Sequence, residues 1–271
     1  MIDIVICVDG TNSQGYKNRS VENFYRAVHA EHKIYKPGPQ NTVTGSDWVS
    51  IRDQIVKELN VIAQKYGEDT FFNGYNCTIA KKNNFRFIMV GHSRGGHTVI
   101  HLAGMLKYRT HFMGLYDAVD RTNLITASDT RLISNVDHIY HAVRDISVGS
   151  RTSKKFDLKR VALFSVPGVG VGFTELASYG IAKALDFGNT GTQSADGGEY
   201  VAKTFKTSHG GIGGDVLTSQ LFSMPATDDS CAITLFNQSE AQVKKTELCI
   251  SESYEADRFI KEGARKYGVR I

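Results

Sequence analysis

Apolar residues fall along this chain in two textures. IDIVICV at 2–8 is near-continuous and β-branched, and it ends in Asp9-Gly10-Thr11-Asn12. FRFIMVG at 85–91 repeats the texture and runs straight into His92-Ser93-Arg94-Gly95-Gly96. Strands buried on both faces of a parallel sheet look like this. Shorter runs at 112–118 (FMGLYDA), 136–143 (VDHIYHAV), 160–166 (RVALFSV), 200–206 and near 231–236 also read as strands. The second texture is helical. Trp48, Ile51, Ile55, Leu59, Ile62 and Tyr66 recur at steps of 3, 4, 4, 3 and 4, which places them on one face of a helix over about 46–66. Ser46 or Asp47 is placed to cap it. Further helices are expected at about 21–32, from the 91–96 segment to about Lys107, and at about 251–267. Lys36-Pro37-Gly38-Pro39 breaks the chain into a loop, and 67–84 is irregular and polar. Residues around 165–198 are rich in Gly, Ser, Thr and Asn about one amphipathic piece, Leu176 to Leu185, and read as an insertion or lid. Strands alternating with helices predict an α/β fold, with a mainly parallel sheet flanked by helices. No linker divides the chain, so 1–271 reads as a single domain.

Composition narrows the classes. Hydrophobic residues make up 41% and Pro only 4 positions, which excludes a disordered or low-complexity chain. The formal charge of +4 is spread along the sequence, which argues against a dedicated nucleic-acid binder. Cys7, Cys77, Cys231 and Cys249 form no C-x-x-C pair, so neither a zinc ribbon nor a thioredoxin-type motif is expected. Cys7, inside an apolar run, reads as a core residue. Asp3 interrupts the first apolar run and no basic segment precedes it, so no signal peptide is expected. The Val161–Phe173 stretch is too short and too Gly-rich to span a membrane. The expectation is a protein that is cytoplasmic as synthesised.

The chemistry concentrates at Gly91-His92-Ser93-Arg94-Gly95, a G-x-S-x-G match. Between a strand and a helix, this spacing makes a sharp turn that lifts the serine hydroxyl above the sheet. Side chains two positions either side would collide there. A serine hydroxyl is a poor nucleophile until a histidine takes its proton and a carboxylate orients that histidine. The chain order expected for this turn is serine, acid, histidine, with the partners at the C-terminal ends of strands. Asp117 stands at the end of the strand after the Ser93 helix, with Asp120 as its nearest rival and Asp145 and Asp186 as weaker ones. His209 follows a strand and opens a Gly-rich loop, SHGGIGGD at 208–215, which suits a base. His97 and His101 read as packing residues on the helix, and His92 as fixed within the turn. His138 and His141 are three apart in a strand and point to opposite faces, which argues against a shared metal site. An oxyanion needs two backbone N–H donors. One is expected from Arg94 and the other from Gly10 or Thr11, with Gly10 free to take unusual backbone angles and Asp9 either bracing or capping that turn.

In their order, DGTN at 9–12, GHSRGG at 91–96, GLYDAVD at 114–120, HAVRD at 141–145 (with Arg151 and Phe156 after it) and SHGGIGGD at 208–215 resemble the motifs of the DUF2235 family. The resemblance implies an α/β-hydrolase fold, with Ser93 as nucleophile, Asp117 as acid, His209 as base and the oxyanion loop at Gly10 or Thr11. That family includes phospholipase effectors of bacterial type VI secretion systems. By resemblance alone, signal-less export, a secretion-system or immunity partner and contact with a membrane surface are implied.

The expected activity is a serine hydrolase that cleaves carboxylic esters, lipase- or phospholipase-like, without metal or organic cofactor. A thioesterase or peptidase using the same triad, and a non-catalytic binding module on a hydrolase scaffold, are the alternatives. Phosphatase chemistry from the DGT segment is disfavoured, because Cys7 stands where the nucleophilic aspartate would be.

Overall fold

The computed structural model describes residues 1–11, 19–40, 47–73, 84–119, 133–145, 194, 197–207, 209–214 and 240–271. Six strands form one sheet: β1 (Ile2–Val8), β2 (His32–Lys36), β3 (Phe85–His92), β4 (Thr110–Tyr116), β5 (Val136–Arg144) and β6 (Glu199–Phe205). Their order is β2-β1-β3-β4-β5-β6, and every pairing is parallel. The expected parallel α/β sheet is therefore present.

Successive side chains of each strand face opposite sides, and both sides are covered. On one face, Ile4, Ile6 and Val8 of β1 and Phe87 and Met89 of β3 pack with Ile55, Leu59 and Ala63 of α2 (Trp48–Lys65). Val99, Leu102 and Ala103 of α3 (Arg94–Met105) complete that layer. On the other, Val5, Cys7, Ile88 and Val90 pack with Val21 and Phe24 of α1 (Ser20–Ala27). Ala256, Ile260 and Ala264 of α5 (Glu240–Lys266) join the same cluster. A short helix, α4 (His209–Ile212), lies between β6 and α5 in the chain. Each fully buried Ile, Leu or Phe contributes about 1.5–3 kcal/mol, so the two-sided burial of β1 and β3 anchors the fold. Asn135, at φ 62, ties the layers by donating from Nδ2 to the carbonyls of Ala103, Leu106 and Tyr108 at the end of α3.

Several expected boundaries move. The helix expected at 21–32 ends at Ala27, because Val28 turns to an extended conformation, and the chain enters β2 at His32. β2 escaped the reading because only Ile34 of its five residues is fully covered. The last helix begins at Glu240 rather than 251. The strands expected at 160–166 and 231–236, and nearly all of the expected lid around 165–198, lie outside the described residues. Among the described residues, no helix is long and apolar enough to cross a membrane.

The strand order has one consequence for function. From β1 the chain moves outward to β2, then crosses back to β3 on the other side of β1. The carboxyl ends of β1 and β3 therefore flank a switch point, where open α/β sheets place their ligand crevices.

Candidate active site

Ser93 closes β3 and precedes α3 with φ 54 and ψ −128. A non-glycine residue there costs about 1–3 kcal/mol, and tight surroundings must enforce it. The glycines supply those surroundings. A Cβ on Gly91 would lie 2.6 Å from the Gly95 carbonyl oxygen, and one on Gly95 would lie 2.3 Å from the Asp9 carbonyl oxygen. A Cβ on Gly96 would meet that of Ala118 at 2.5 Å. The Ser93 N–H donates to Tyr116 O at 3.1 Å and its carbonyl accepts from Val119 N at 3.1 Å, which locks the turn to the end of β4.

Asp117 follows β4, also with positive φ (42), and its N–H donates to Ala142 O of β5. His209 opens α4. The three expected side chains meet. His209 Nε2 lies 2.8 Å from Ser93 Oγ, and His209 Nδ1 lies 2.6 Å from Asp117 Oδ2. With Nδ1 protonated, the ring donates to the carboxylate and its Nε2 accepts from the serine hydroxyl. All three are buried. Burial alone would raise the Asp117 pKa, but the hydrogen bond from His209 and the charges of His209 and Arg144 outweigh it and hold the carboxyl well below its ordinary range. Of the rival acids, Asp120 and Asp186 lie outside the described residues. Asp145 follows β5, where its N–H donates to Phe205 O.

The DGT turn is held from several sides. Asp9 Oδ1 accepts from the Gly10 N–H at 2.9 Å, and Oδ2 accepts from Tyr35 Oη–H at 2.9 Å with Arg19 Nε 3.6 Å away. Asp9 thus braces its turn. Burial raises its pKa to about 6, against the opposing pull of those partners. Gly10 does not take a positive φ. Glycine is required because a Cβ there would sit 2.3 Å from His92 Nδ1. Its N–H is also engaged by Asp9, so of the two expected donors in this turn Thr11 is the one not tied to that carboxylate. Arg94 is fully buried and reaches back from α3, its Nε donating to Thr11 Oγ1 at 2.8 Å.

Sequence reasoning missed three supporting groups. The His92 ring fills the space between Gly10 and Gly213 and donates from Nε2 to His209 O at 3.1 Å. It joins the serine turn, the DGT turn and the base loop. Burial lowers its pKa to about 3, so it is neutral near pH 7. His141 accepts from Ala118 N at 3.2 Å through Nε2, and its Nδ1 lies 2.8 Å from Tyr200 Oη. Burial lowers its pKa to about 4. His138, on the opposite face of β5, stacks on Tyr267, just past the end of α5. Arg144, the last residue of β5, donates from Nη1 to Asp117 Oδ2 at 2.7 Å. Its position at the C-terminal end of a strand, like that of Asp117, was the available signal. Among the described residues, no group of three or more His, Cys, Asp or Glu is arranged to hold a metal ion.

In comparisons with known proteins, the chain matches no family model, no curated protein and no solved structure.

Proposed function

We propose that this protein is a serine hydrolase acting on carboxylic esters, with a lipase- or phospholipase-like substrate and an α/β-hydrolase-like use of its sheet. The observation that carries the reading is the continuous hydrogen-bonded chain from Ser93 Oγ through His209 to Asp117, set on a strained turn at the end of β3. The resemblance of its motifs to the DUF2235 family supports the lipid-ester substrate.

In this mechanism Ser93 Oγ attacks the ester carbonyl carbon while His209 Nε2 takes its proton. Asp117 stabilises the imidazolium that forms. The backbone N–H groups of Arg94 and Thr11 receive the oxyanion. Collapse breaks the bond to the alkoxy group, which leaves as an alcohol with the proton from His209. His209 then deprotonates a water, which attacks the acyl-enzyme and releases the acid and free Ser93. No cofactor enters these steps.

Fluorophosphonate labelling tests the reading. Wild type is expected to take the label, and Ser93→Ala and His209→Ala to take none. Turnover of p-nitrophenyl esters of graded chain length and of a phospholipid then sorts esterase from lipase and phospholipase. A folded wild type that takes no label and turns over no ester would support the non-catalytic scaffold instead.

A further inference from the structure

Arg144 reaches the junction between acid and base. Its Nη1 donates to Asp117 Oδ2 at 2.7 Å and lies 3.1 Å from His209 Nδ1, which itself meets Oδ2 at 2.6 Å. One carboxylate oxygen therefore receives two N–H groups. The sheet fixes this arrangement. β5 lies between β4, which Asp117 follows, and β6, which leads to His209. The Asp117 N–H bonds Ala142 O on one side of β5, and the Asp145 N–H bonds Phe205 O on the other. The Arg144 side chain is only 10% exposed, so its charge is weakly screened.

We propose that Arg144 is a positioning residue of the triad: it anchors the Asp117 carboxylate, and its fixed charge beside Nδ1 governs the tautomer and charge that His209 adopts. The kinetic consequence rests on the serine-hydrolase reading, whereas the effect on the ring rests on the geometry alone. A guanidinium is always a donor and always charged. Were Nδ1 bare, Arg144 would donate to it, and Nε2 would carry the proton and could not accept from Ser93. The shared Oδ2 prevents this by drawing both N–H groups to itself. The guanidinium also opposes a second positive charge on the ring, while Asp117 favours one. Among the described residues, the other titratable or polar groups facing His209 include Ser93 and His92 from the serine turn, with the His92 ring centroid 5.0 Å away, and His141 of β5 behind Asp117. Burial keeps both of those histidines neutral near pH 7, so among the described residues the fixed positive charge at the His209–Asp117 bond is that of Arg144.

The test is the fluorophosphonate labelling rate against pH for wild type, Arg144→Gln and Arg144→Lys, together with the ¹⁵N imidazole titration of His209 in each. Arg144→Gln is expected to move the acid limb and the ring titration upward by about one pH unit. Arg144→Lys keeps the charge and is expected to return both to within about 0.3 unit of wild type, with a lower rate because the fork geometry is lost. A purely structural role would lower the rate at every pH and leave the midpoint in place, and a folded Arg144→Gln protein with the wild-type midpoint overturns the proposal. Should Arg144→Gln not fold, Arg144→Lys decides: a midpoint displaced by a full unit with the charge retained overturns it. Wild type that takes no label at any pH would overturn the hydrolase reading instead, and the ring titration would still decide the role of Arg144.

Discussion

β1 carries an aspartate near each end, and the two are held in opposite ways. Asp3, at the N-terminal end, receives both prongs of Arg86 at 2.7 and 2.6 Å, with Arg270 3.7 Å away. Asp9, at the C-terminal end, receives the Gly10 N–H and the Tyr35 hydroxyl, with its nearest arginine nitrogen at 3.6 Å. Both are buried. Asp3 is matched by a full bidentate partner, whereas burial of Asp9 outruns its partners and lifts its pKa to about 6. The same contrast runs along the sheet. At the strands' N-terminal ends, Arg109–Asp137 and Lys266–Glu199 are solvent-screened surface pairs. At the C-terminal ends, Asp9, Ser93, Arg94, Asp117, Arg144 and His209 are buried, and Ser93 and Asp117 hold positive φ. One end uses charge to hold the sheet together. The other concentrates buried charge and strained backbone, as functional sites do.

If the two ends differ in this way, substitutions at the C-terminal end should cost activity and those at the N-terminal end stability. The largest effect is expected for Asp117→Asn, which leaves His209 in the wrong tautomer. The kcat for ester cleavage should fall about 10⁴-fold, and Tm should fall as well, because the buried Arg144 loses its carboxylate partner. A fall below tenfold would show that another carboxylate serves as the acid, and Asp120 would then be replaced next.

Asp9→Asn should show an effect that depends on pH. The folded pKa of Asp9 is raised from 3.8 to about 6, so its contribution to stability is fully present below about pH 3.8 and lost as pH rises through about 6. Removing the charge should therefore improve stability relative to wild type on going from pH 5 to pH 8, by about 1.4 kcal/mol. Denaturant unfolding at the two pH values measures it, and an equal offset at both would contradict the assigned shift. The smallest effect is expected for Asp3→Asn, about 1–2 kcal/mol of stability with kcat/KM within twofold of wild type. A tenfold loss of kcat/KM there would erase the distinction between the two ends.

Much of the site was legible in the chain, and the reason is local. Gly91 is demanded by its contact with Gly95 in the same turn, so that spacing appears in the sequence, whereas Gly95 and Gly96 are pressed by Asp9 and Ala118 from neighbouring turns. Asp117 and His209 were legible as polar residues where apolar strands stop. Arg144 and His92 were not, because their roles depend on which loop lies opposite. His92 acts by filling the space between Gly10 and Gly213, and nothing in its own neighbourhood announces that. β2 stayed hidden because a short edge strand with one covered residue carries little pattern.

By itself the sequence determined the texture of β1 and β3, the helical stripe of α2 and the turn that raises Ser93, because each follows from periodicity or sterics over a few neighbouring residues. Only the tertiary structure decided which histidine and which carboxylate that serine meets. His209 lies 116 positions from Ser93 and 92 from Asp117. No local pattern encodes such separations. A parallel sheet closes them by bringing the C-terminal ends of all its strands to one edge, and the order β1-β3-β4-β5-β6 sets Asp9, Ser93, Asp117, Arg144 and His209 side by side along it.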